Sequence, residues 1–189
     1  MNGSQFNNIK RKKFLKIKTD LIKKKNVPKD FFDNENKLYS FVWISDTPSE
    51  TVLNLRNSED VLINMFSKNK ISLDEHREFL ENYENLTRID FMIKSQICNT
   101  FLGGVNLVYE QNKWQIGKYI GNKKFLKKGI AKRMTINLIE FFREFFPDIK
   151  EIFSITKSSN KVNIILNEKI GFIIFTKLKN EFILMRKEL

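Results

Sequence analysis

The chain has little of several residues that common functional sites require. Its 189 residues include one cysteine, Cys98, and one histidine, His76. This count excludes an intramolecular disulfide, a zinc site built from four cysteine and histidine ligands, and a two-histidine metalloprotease centre. We therefore expect a protein without a metal, in a reducing compartment such as the cytoplasm.

Long apolar runs and several well-known motifs are also missing. No stretch of about 18 apolar residues occurs, which predicts that no helix spans a membrane. The polar residues 1–8 are followed by no apolar segment, which argues against a secretory signal. The patterns GxxxxGK[S/T], GxGxxG and GxSxG are absent, so the sequence offers no P-loop, dinucleotide fingerprint or nucleophile elbow.

What the sequence does contain is apolar volume and an uneven positive charge. It is 41% hydrophobic with 18 phenylalanines, which is enough for a core. Its net charge is +12, and residues 1–29 carry +9 of this, from ten basic residues and one acidic residue. We therefore expect residues 1–37 to form a basic N-terminal arm and residues 38–189 to form the folded domain.

Two interpretations of the arm stay open. Phe14, Ile17 and Leu21 have helical spacing between lysines, so the segment can form a helix that binds weakly to an anionic membrane or nucleic acid. Alternatively, it is a solvated extension or a helix packed on the domain.

Hydrophobic periodicity beyond the arm predicts about seven strands and four helices. The helices are expected over residues 57–67, 72–83, 130–146 and 160–170. Ser72 and Glu75 have the spacing of a capping box, which favours a helix start there. The order of elements predicts an α+β (mixed α/β) fold with a mostly antiparallel sheet.

One strand, loop and helix combination points to a ligand. A predicted strand over residues 114–120 leads through a short loop into a helix that begins near Gly129. A helix N-terminus has free backbone N–H groups and a partial positive charge. Gly129 and Ala131 leave the backbone accessible, and Lys127 and Lys128 add positive charge. This is the outline of a pyrophosphate site.

The C-terminal half resembles the GNAT acyl-CoA N-acyltransferases. The resemblance rests on Gly129 and Ala131 at a helix start, Asn160 at the next helix start, Phe172 twelve residues later, and a final strand over residues 181–186. It covers roughly residues 38–189. It implies the GNAT fold, with a central, mostly antiparallel sheet and one splayed strand pair, and acetyl-CoA as co-substrate with its pantetheine in the gap. The residues that it implies for CoA binding are Tyr119, Ile120, Lys127, Lys128, Gly129, Ile130, Ala131, Lys132, Asn160 and Asn167.

The sequence departs from the family pattern at positions that matter for proton transfer. Many members have a tyrosine that protonates the CoA thiolate, where this chain has Asn167. Several relatives have a glutamate on the splayed strand, where this chain has Gln115. Neither amide titrates. The general base is therefore left open among three candidates, which are Glu110, Asp90 and His76.

The N-terminal half narrows the resemblance. Leu55-Arg56-Asn57 together with the segment 72–76 is similar to the nucleotide-sugar N-acetyltransferases, and most of all to those of the pseudaminic-acid pathway. Those enzymes acetylate the 4-amino group of a UDP-linked dideoxy sugar. Leu55 stands where their pattern has tryptophan. The residues that this resemblance implies for the acceptor side are Arg56, Asn57, Met65, His76 and Tyr119.

The sequence therefore predicts direct acetyl transfer from acetyl-CoA to the amine of a nucleotide-linked amino sugar in a ternary complex. Three alternatives stay open: acetylation of protein N-termini, a degenerate GNAT domain that only binds CoA, and a nucleic-acid-binding module driven by the basic arm. The sequence also leaves open whether the chain forms a homodimer.

Overall fold

The computed structural model of the protein describes residues 3–65, 67–178 and 181–189. The α-helices in these ranges are α1 (Gly3–Lys23), α2 (Ser49–Arg56), α3 (Glu59–Leu62), α4 (Leu73–Glu81), α5 (Ile130–Phe145) and α6 (Lys161–Lys169). The strands are β1 (Phe31–Phe32), β2 (Leu38–Trp43), β3 (Arg88–Ser95), β4 (Phe101–Glu110), β5 (Lys113–Ile120), β6 (Glu151–Lys157), β7 (Ile173–Lys177) and β8 (Phe182–Glu188). None of these helices is both long enough and apolar enough to cross a membrane.

All eight strands form one sheet in the order β1-β2-β3-β4-β5-β6-β8-β7. Every neighbouring pair is antiparallel except β5 and β6, which are parallel. The prediction of a mixed α/β fold with a mostly antiparallel sheet is confirmed. The strand beyond the expected seven is the two-residue β1, and the helices beyond the expected four lie within residues 3–62.

The parallel pair β5–β6 is joined at one place only. In the described part of the chain, β5 registers with β6 at Gln115 and Phe153 alone, whereas it registers with β4 along its whole length. The two strands therefore diverge from Gln115 toward Ile120. This register agrees with the splayed strand pair that the resemblance to the GNAT family implies.

The two faces of the sheet are covered by different helices. The apolar side of α5 packs on one face, with Phe141 against Phe91 of β3 and Phe142 against Trp114 of β5. On the other face, α2 packs against β4 and α4 packs against α2. Because side chains alternate along a strand, consecutive residues of β5 point toward these two different layers.

The helix predicted over residues 57–67 is confirmed only over the four residues of α3, Glu59–Leu62. Residue 66 lies outside the described residues, and the main helix of this region, α2, runs from Ser49 to Arg56. It begins directly after Pro48, whose fixed φ and missing N–H suit a helix start. The capping box at the start of α4 is confirmed, since the hydroxyl of Ser72 accepts the Glu75 N–H at 3.2 Å and the Glu75 carboxylate accepts the Ser72 N–H at 2.6 Å.

The boundary expected between residues 37 and 38 divides the hydrophobic core. Phe14, Leu21 and Phe31 belong to the same buried cluster as the sheet and α5. The ring of Phe14 lies 4.9 Å from that of Trp114 and 4.8 Å from that of Phe146, measured between centroids. Residues 3–37 are therefore not a separate arm in this structure: α1 packs on the domain, one of the alternatives left open above.

Part of the basic charge of α1 also anchors it. Lys18 is fully buried, and its ammonium group donates hydrogen bonds to the carbonyl of Tyr83 and, at 3.0 Å, to that of Leu86. Burial lowers the pKa of Lys18 to about 8. By contrast, Lys16 is exposed to solvent.

We predict that Phe14→Ala lowers the free energy of unfolding by about 3 kcal/mol or more, because it removes a buried ring from the core. Thermal or urea unfolding measures this effect. The control Lys16→Ala changes an exposed residue of the same helix and should stay within about 0.5 kcal/mol of the unmodified protein. Equal stability of the two variants would mean that α1 is dispensable for folding.

Candidate active site

The gap between β5 and β6 faces the start of α5. Gly129 precedes this helix in the left-handed conformation, with a φ of 79°, and no side chain caps the first turn. The N–H groups of residues 130–132 therefore have no cap among the described side chains. The side chain of Ile130 is buried in the core, so that residue can offer a ligand only its backbone, while Lys127 and Lys132 are exposed.

A turn from the N-terminal segment braces this loop. The N–H of Asn34 donates to the carbonyl of Lys128 at 3.0 Å, and the Lys128 ammonium pairs with the Glu35 carboxylate at 3.0 Å. A Cβ atom at Gly129 would lie 2.6 Å from Oδ1 of Asn34. Residue 129 therefore has two reasons to be glycine, its positive φ and the close approach of Asn34.

A lysine from β5 crosses the gap. The ammonium of Lys118 donates to Oδ1 of Asn167 on α6 at 2.7 Å. Asn167 is fully buried, and its amide donates to the hydroxyl of Ser154 at 3.1 Å and approaches the sulfur of Met185 at 3.6 Å. Burial lowers the pKa of Lys118 to about 7. The Asn167 side chain is therefore occupied by protein partners in this structure. Its expected contact with CoA stays a prediction.

A second cluster lies on the opposite face of β5. Tyr119 lies over Gly104, and its hydroxyl approaches the sulfur of Met92 at 3.6 Å. Nη1 of Arg56 and Nε2 of His76 are buried there without a hydrogen-bond partner among the described residues. Unpaired buried polar atoms are rare because each costs desolvation energy, and they mark places where a ligand or water completes the set.

The electrostatics connect the members of this cluster. Burial lowers the pKa of Arg56, and the nearby Tyr119 opposes that shift. Burial also lowers the pKa of His76, against the opposing effect of Asp90, so the imidazole is neutral at neutral pH. Burial raises the pKa of Tyr119, which therefore keeps its proton.

Of the three candidate bases, His76 is the one left with an unpaired buried atom. The carboxylate of Asp90 is held by Arg88 at 2.5 and 2.8 Å and by the amide of Asn106 at 3.2 Å. Glu110 is exposed at the turn between β4 and β5, at the far end of these strands from Ile120. The structure therefore brings His76 and Asp90 to the Tyr119 side of the sheet and leaves Glu110 away from it.

Three further predicted site residues, two on the acceptor side and one for CoA, have structural partners or intermediate exposure. The side-chain amide of Asn57 exchanges two hydrogen bonds with the backbone of Ile71, at 2.8 and 2.9 Å, and so closes the segment between α2 and α4. Met65 is half-buried. Asn160 caps α6 by accepting the N–H of Asn163 at 3.1 Å.

A cavity of about 340 Å³ lies elsewhere, beneath α1. Its lining includes Phe14, Trp114 and Phe146, at the hairpin end of β5. This end is opposite to the one that faces the start of α5, so the cavity does not belong to the candidate site.

Comparison with known families decides the class of the domain. The profile of the acetyltransferase (GNAT) domain matches residues 42–173, which is more than half of the chain. The chain belongs to the GNAT acetyltransferase family. The match begins after α1 and β1, so the bracing turn and the packed N-terminal helix lie outside the shared family core. No curated protein sequence matches the chain significantly.

Solved structures agree with this GNAT fold at low sequence identity. A domain from Methanocaldococcus jannaschii aligns with a TM-score of 0.69 and 20% identity, over 80% of this chain and 98% of that one. Spermidine N-acetyltransferase from Vibrio cholerae, in complex with CoA and spermine, aligns at 0.68 and 17%, over 79% and 95%. An aminoglycoside acetyltransferase in complex with coenzyme A aligns at 0.64 and 13%, over 79% and 94%.

Sequence reasoning missed Lys118 in this GNAT site. The sequence analysis placed Tyr119 and Ile120 on the splayed strand and predicted no role for Lys118, which lies between Gly117 and Tyr119. The available signal was a lysine between Ile116 and Ile120, both of which share its face of β5. A charged residue in such a run is unusual unless it is paired or functional.

Proposed function

We propose that this GNAT acetyltransferase transfers the acetyl group of acetyl-CoA to an amino group of a nucleotide-linked amino sugar. The reaction is a direct transfer in which both substrates are bound together. The amine attacks the thioester carbonyl, and CoA leaves as its thiolate. The protein holds the two substrates in line, removes a proton from the amine and stabilises the charge that develops.

The donor half of the proposal is supported by the start of α5. Uncapped N–H groups, a glycine without a side chain and the exposed Lys127 suit a pyrophosphate, whereas Lys128 is already paired with Glu35. From there, the edge of β5 that diverges from β6 offers unpaired backbone groups to the pantetheine chain. The backbone N–H groups near Tyr119 and Ile120 would stabilise the oxyanion.

The acceptor half is carried by one observation: one buried nitrogen of Arg56 and one of His76 have no hydrogen-bond partner within the described part of the chain. A guanidinium is matched to phosphate because its planar fork donates two hydrogen bonds and remains charged. A neutral imidazole can donate to, or accept from, a sugar hydroxyl or an amine. Both atoms lie on the face of β5 where the hydroxyl of Tyr119 is a further donor.

The charge of this cluster favours an anionic acceptor over a cationic one. Polyamines and aminoglycosides carry several positive charges and need free carboxylates nearby. Here Arg56 is positive, and the carboxylate of Asp90 is already neutralised by Arg88. The diphosphate of a nucleotide-linked sugar would give the Arg56 guanidinium an anionic partner. The amine of the same sugar would be the nucleophile.

The base requirement is modest for such an acceptor. A sugar amine is less basic than a lysine amine, so a larger share of it is already deprotonated near neutral pH. His76, which is neutral because burial lowers its pKa, can take the remaining proton directly or through a water molecule.

We predict that Gly129→Asp weakens CoA binding at least tenfold. A Cβ atom would collide with Asn34, and a carboxylate would place negative charge where the pyrophosphate binds. Isothermal titration calorimetry with CoA measures the change. Gly171→Asp is the matched control, since Gly171 also has a positive φ, of 90°, but follows α6 rather than preceding α5. Equal CoA affinity in the two variants would contradict the proposed pyrophosphate site.

We predict that Arg56→Ala raises the KM of the nucleotide-sugar acceptor about tenfold or more and leaves the KM of acetyl-CoA nearly unchanged. A charge-assisted contact to phosphate contributes about 1.5–3 kcal/mol. Arg56→Lys should restore part of the loss, because it keeps the charge without the fork. The measurement is two-substrate kinetics with UDP- and dTDP-linked amino sugars.

Matched controls make that series decisive. Arg77→Ala removes an exposed arginine of α4 and should leave both KM values as they are. Peptide amines and spermidine serve as competing acceptors. A preference of the protein for peptide or polyamine amines, or acceptor kinetics that do not change in Arg56→Ala, would overturn the nucleotide-sugar acceptor.

A further inference from the structure

Lys118 lies in the splayed gap and has no charged partner among residues 3–65, 67–178 and 181–189. Its amine contacts Asn167 of α6, and through that amide it is linked to Ser154 of β6 and Met185 of β8. None of these groups is charged, and burial alone accounts for the lowered pKa of Lys118. A partly buried lysine whose described partner is an amide is costly, because its ammonium loses water without gaining a carboxylate.

Its position relates it to the donor substrate. Lys118 lies two residues before the end of β5, between the single pairing with β6 at Gln115 and the loop that leads to α5. A CoA molecule with its pyrophosphate at Gly129 and its pantetheine along the open edge of β5 passes this side chain. Tyr119, on the opposite face, belongs to the acceptor cluster.

The reaction leaves a group in this gap that needs a proton. When the amine attacks the acetyl carbon, the C–S bond breaks and its electron pair stays on sulfur. Asn167 cannot protonate this thiolate, because an amide does not titrate in the working range. A cation with a transferable proton beside the sulfur would stabilise the thiolate and then neutralise it.

We propose that Lys118 is a catalytic residue that donates the proton to the CoA thiolate as it leaves. The ammonium of Lys118 gives one proton to sulfur, which yields the free thiol of CoA and a neutral lysine amine. Lys118 then regains a proton from solvent before the next turnover. Asn167 is a positioning residue, since its carbonyl oxygen fixes the lysine amine across the gap.

The lowered pKa suits this role. An ammonium with a pKa of about 7 is more acidic than a CoA thiol, whose pKa is close to that of a free cysteine, about 8.5. Proton transfer from lysine to sulfur is therefore downhill. Because the protonated form is the active one, kcat should fall as the pH rises through the pKa of Lys118 in the complex.

The inference rests on the proposed use of acetyl-CoA, but not on the identity of the acceptor. A first experiment therefore needs no acceptor. The thiolate of bound CoA is titrated by its ultraviolet absorbance below pH 9, in a Cys98→Ser background that removes the single protein thiol. Because Lys118 is neutral above its own pKa, the proton should rest on sulfur, so we expect the pKa of the bound thiol to be no lower than that of free CoA. The fixed positive charge of Lys118→Arg should instead lower the pKa of the bound thiol. Failure of the parent protein to bind CoA would instead contradict the proposed function.

A second experiment separates proton donation from charge alone. With whichever amine serves as acceptor, Lys118→Met should lower kcat about 100-fold, the lower end of the general-acid range. Lys118→Arg keeps a positive charge beside the sulfur, but it should lose kcat and the decline at high pH, because a guanidinium does not release its proton. Asn167→Ala should shift the pH dependence with a smaller loss of kcat.

Lys113→Met, at the other end of the same strand, is the matched control and should keep both the thiol pKa and kcat. The melting temperature of each variant identifies any loss of folding. The proposal is overturned if Lys118→Met, folded, keeps kcat within about twofold, or if the thiol of CoA bound to the parent protein ionises below the pKa of free CoA. It is also overturned if Lys118→Arg is fully active, since charge alone would then suffice.

Discussion

The structure depends on the limited pairing between β5 and β6. These strands meet at Gln115 and Phe153 and then separate, which leaves one edge of β5 without the backbone partner that a strand normally has. Two features bring chemistry to that edge: the uncapped start of α5 at its open end and the Lys118–Asn167 bridge across its middle. Full pairing of β5 with β6 would satisfy the backbone N–H and C=O groups on this edge of β5, but it would also close the gap proposed to hold CoA.

Alternation along β5 lets one strand serve both halves of the proposed transfer. Lys118 points into the donor gap, toward α6, while Tyr119 points to the other face, toward Arg56 and the Asp90 side of the sheet. Both faces are desolvated, and the same burial has opposite effects on the two groups. It pushes the lysine toward releasing its proton and holds the tyrosine proton in place. Neighbouring residues thereby become suited to acid chemistry and to hydrogen-bond donation.

Features that depend on local sequence could be predicted, and those that depend on packing could not. The seven longer strands, α5, the capping box at Ser72 and the glycine at the α5 start follow from periodicity, cap chemistry and backbone freedom within short windows. The burial of α1 depends on Trp114 and Phe146, more than 90 residues away, and lysine-rich composition concealed it. Lys118 escaped notice because its role comes from Asn167 across the gap, a pairing that no local pattern encodes.

The proposed transfer requires CoA to occupy the gap between β5 and β6 with its sulfur beside Lys118. A crystal structure of the protein with CoA tests this most directly. We expect the pyrophosphate on the backbone N–H groups of residues 130–132, the pantetheine along the open edge of β5, and the sulfur within hydrogen-bonding distance of the Lys118 amine. CoA bound outside the gap, or a sulfur atom on the Tyr119 side with Lys118 still closed onto Asn167, would contradict it.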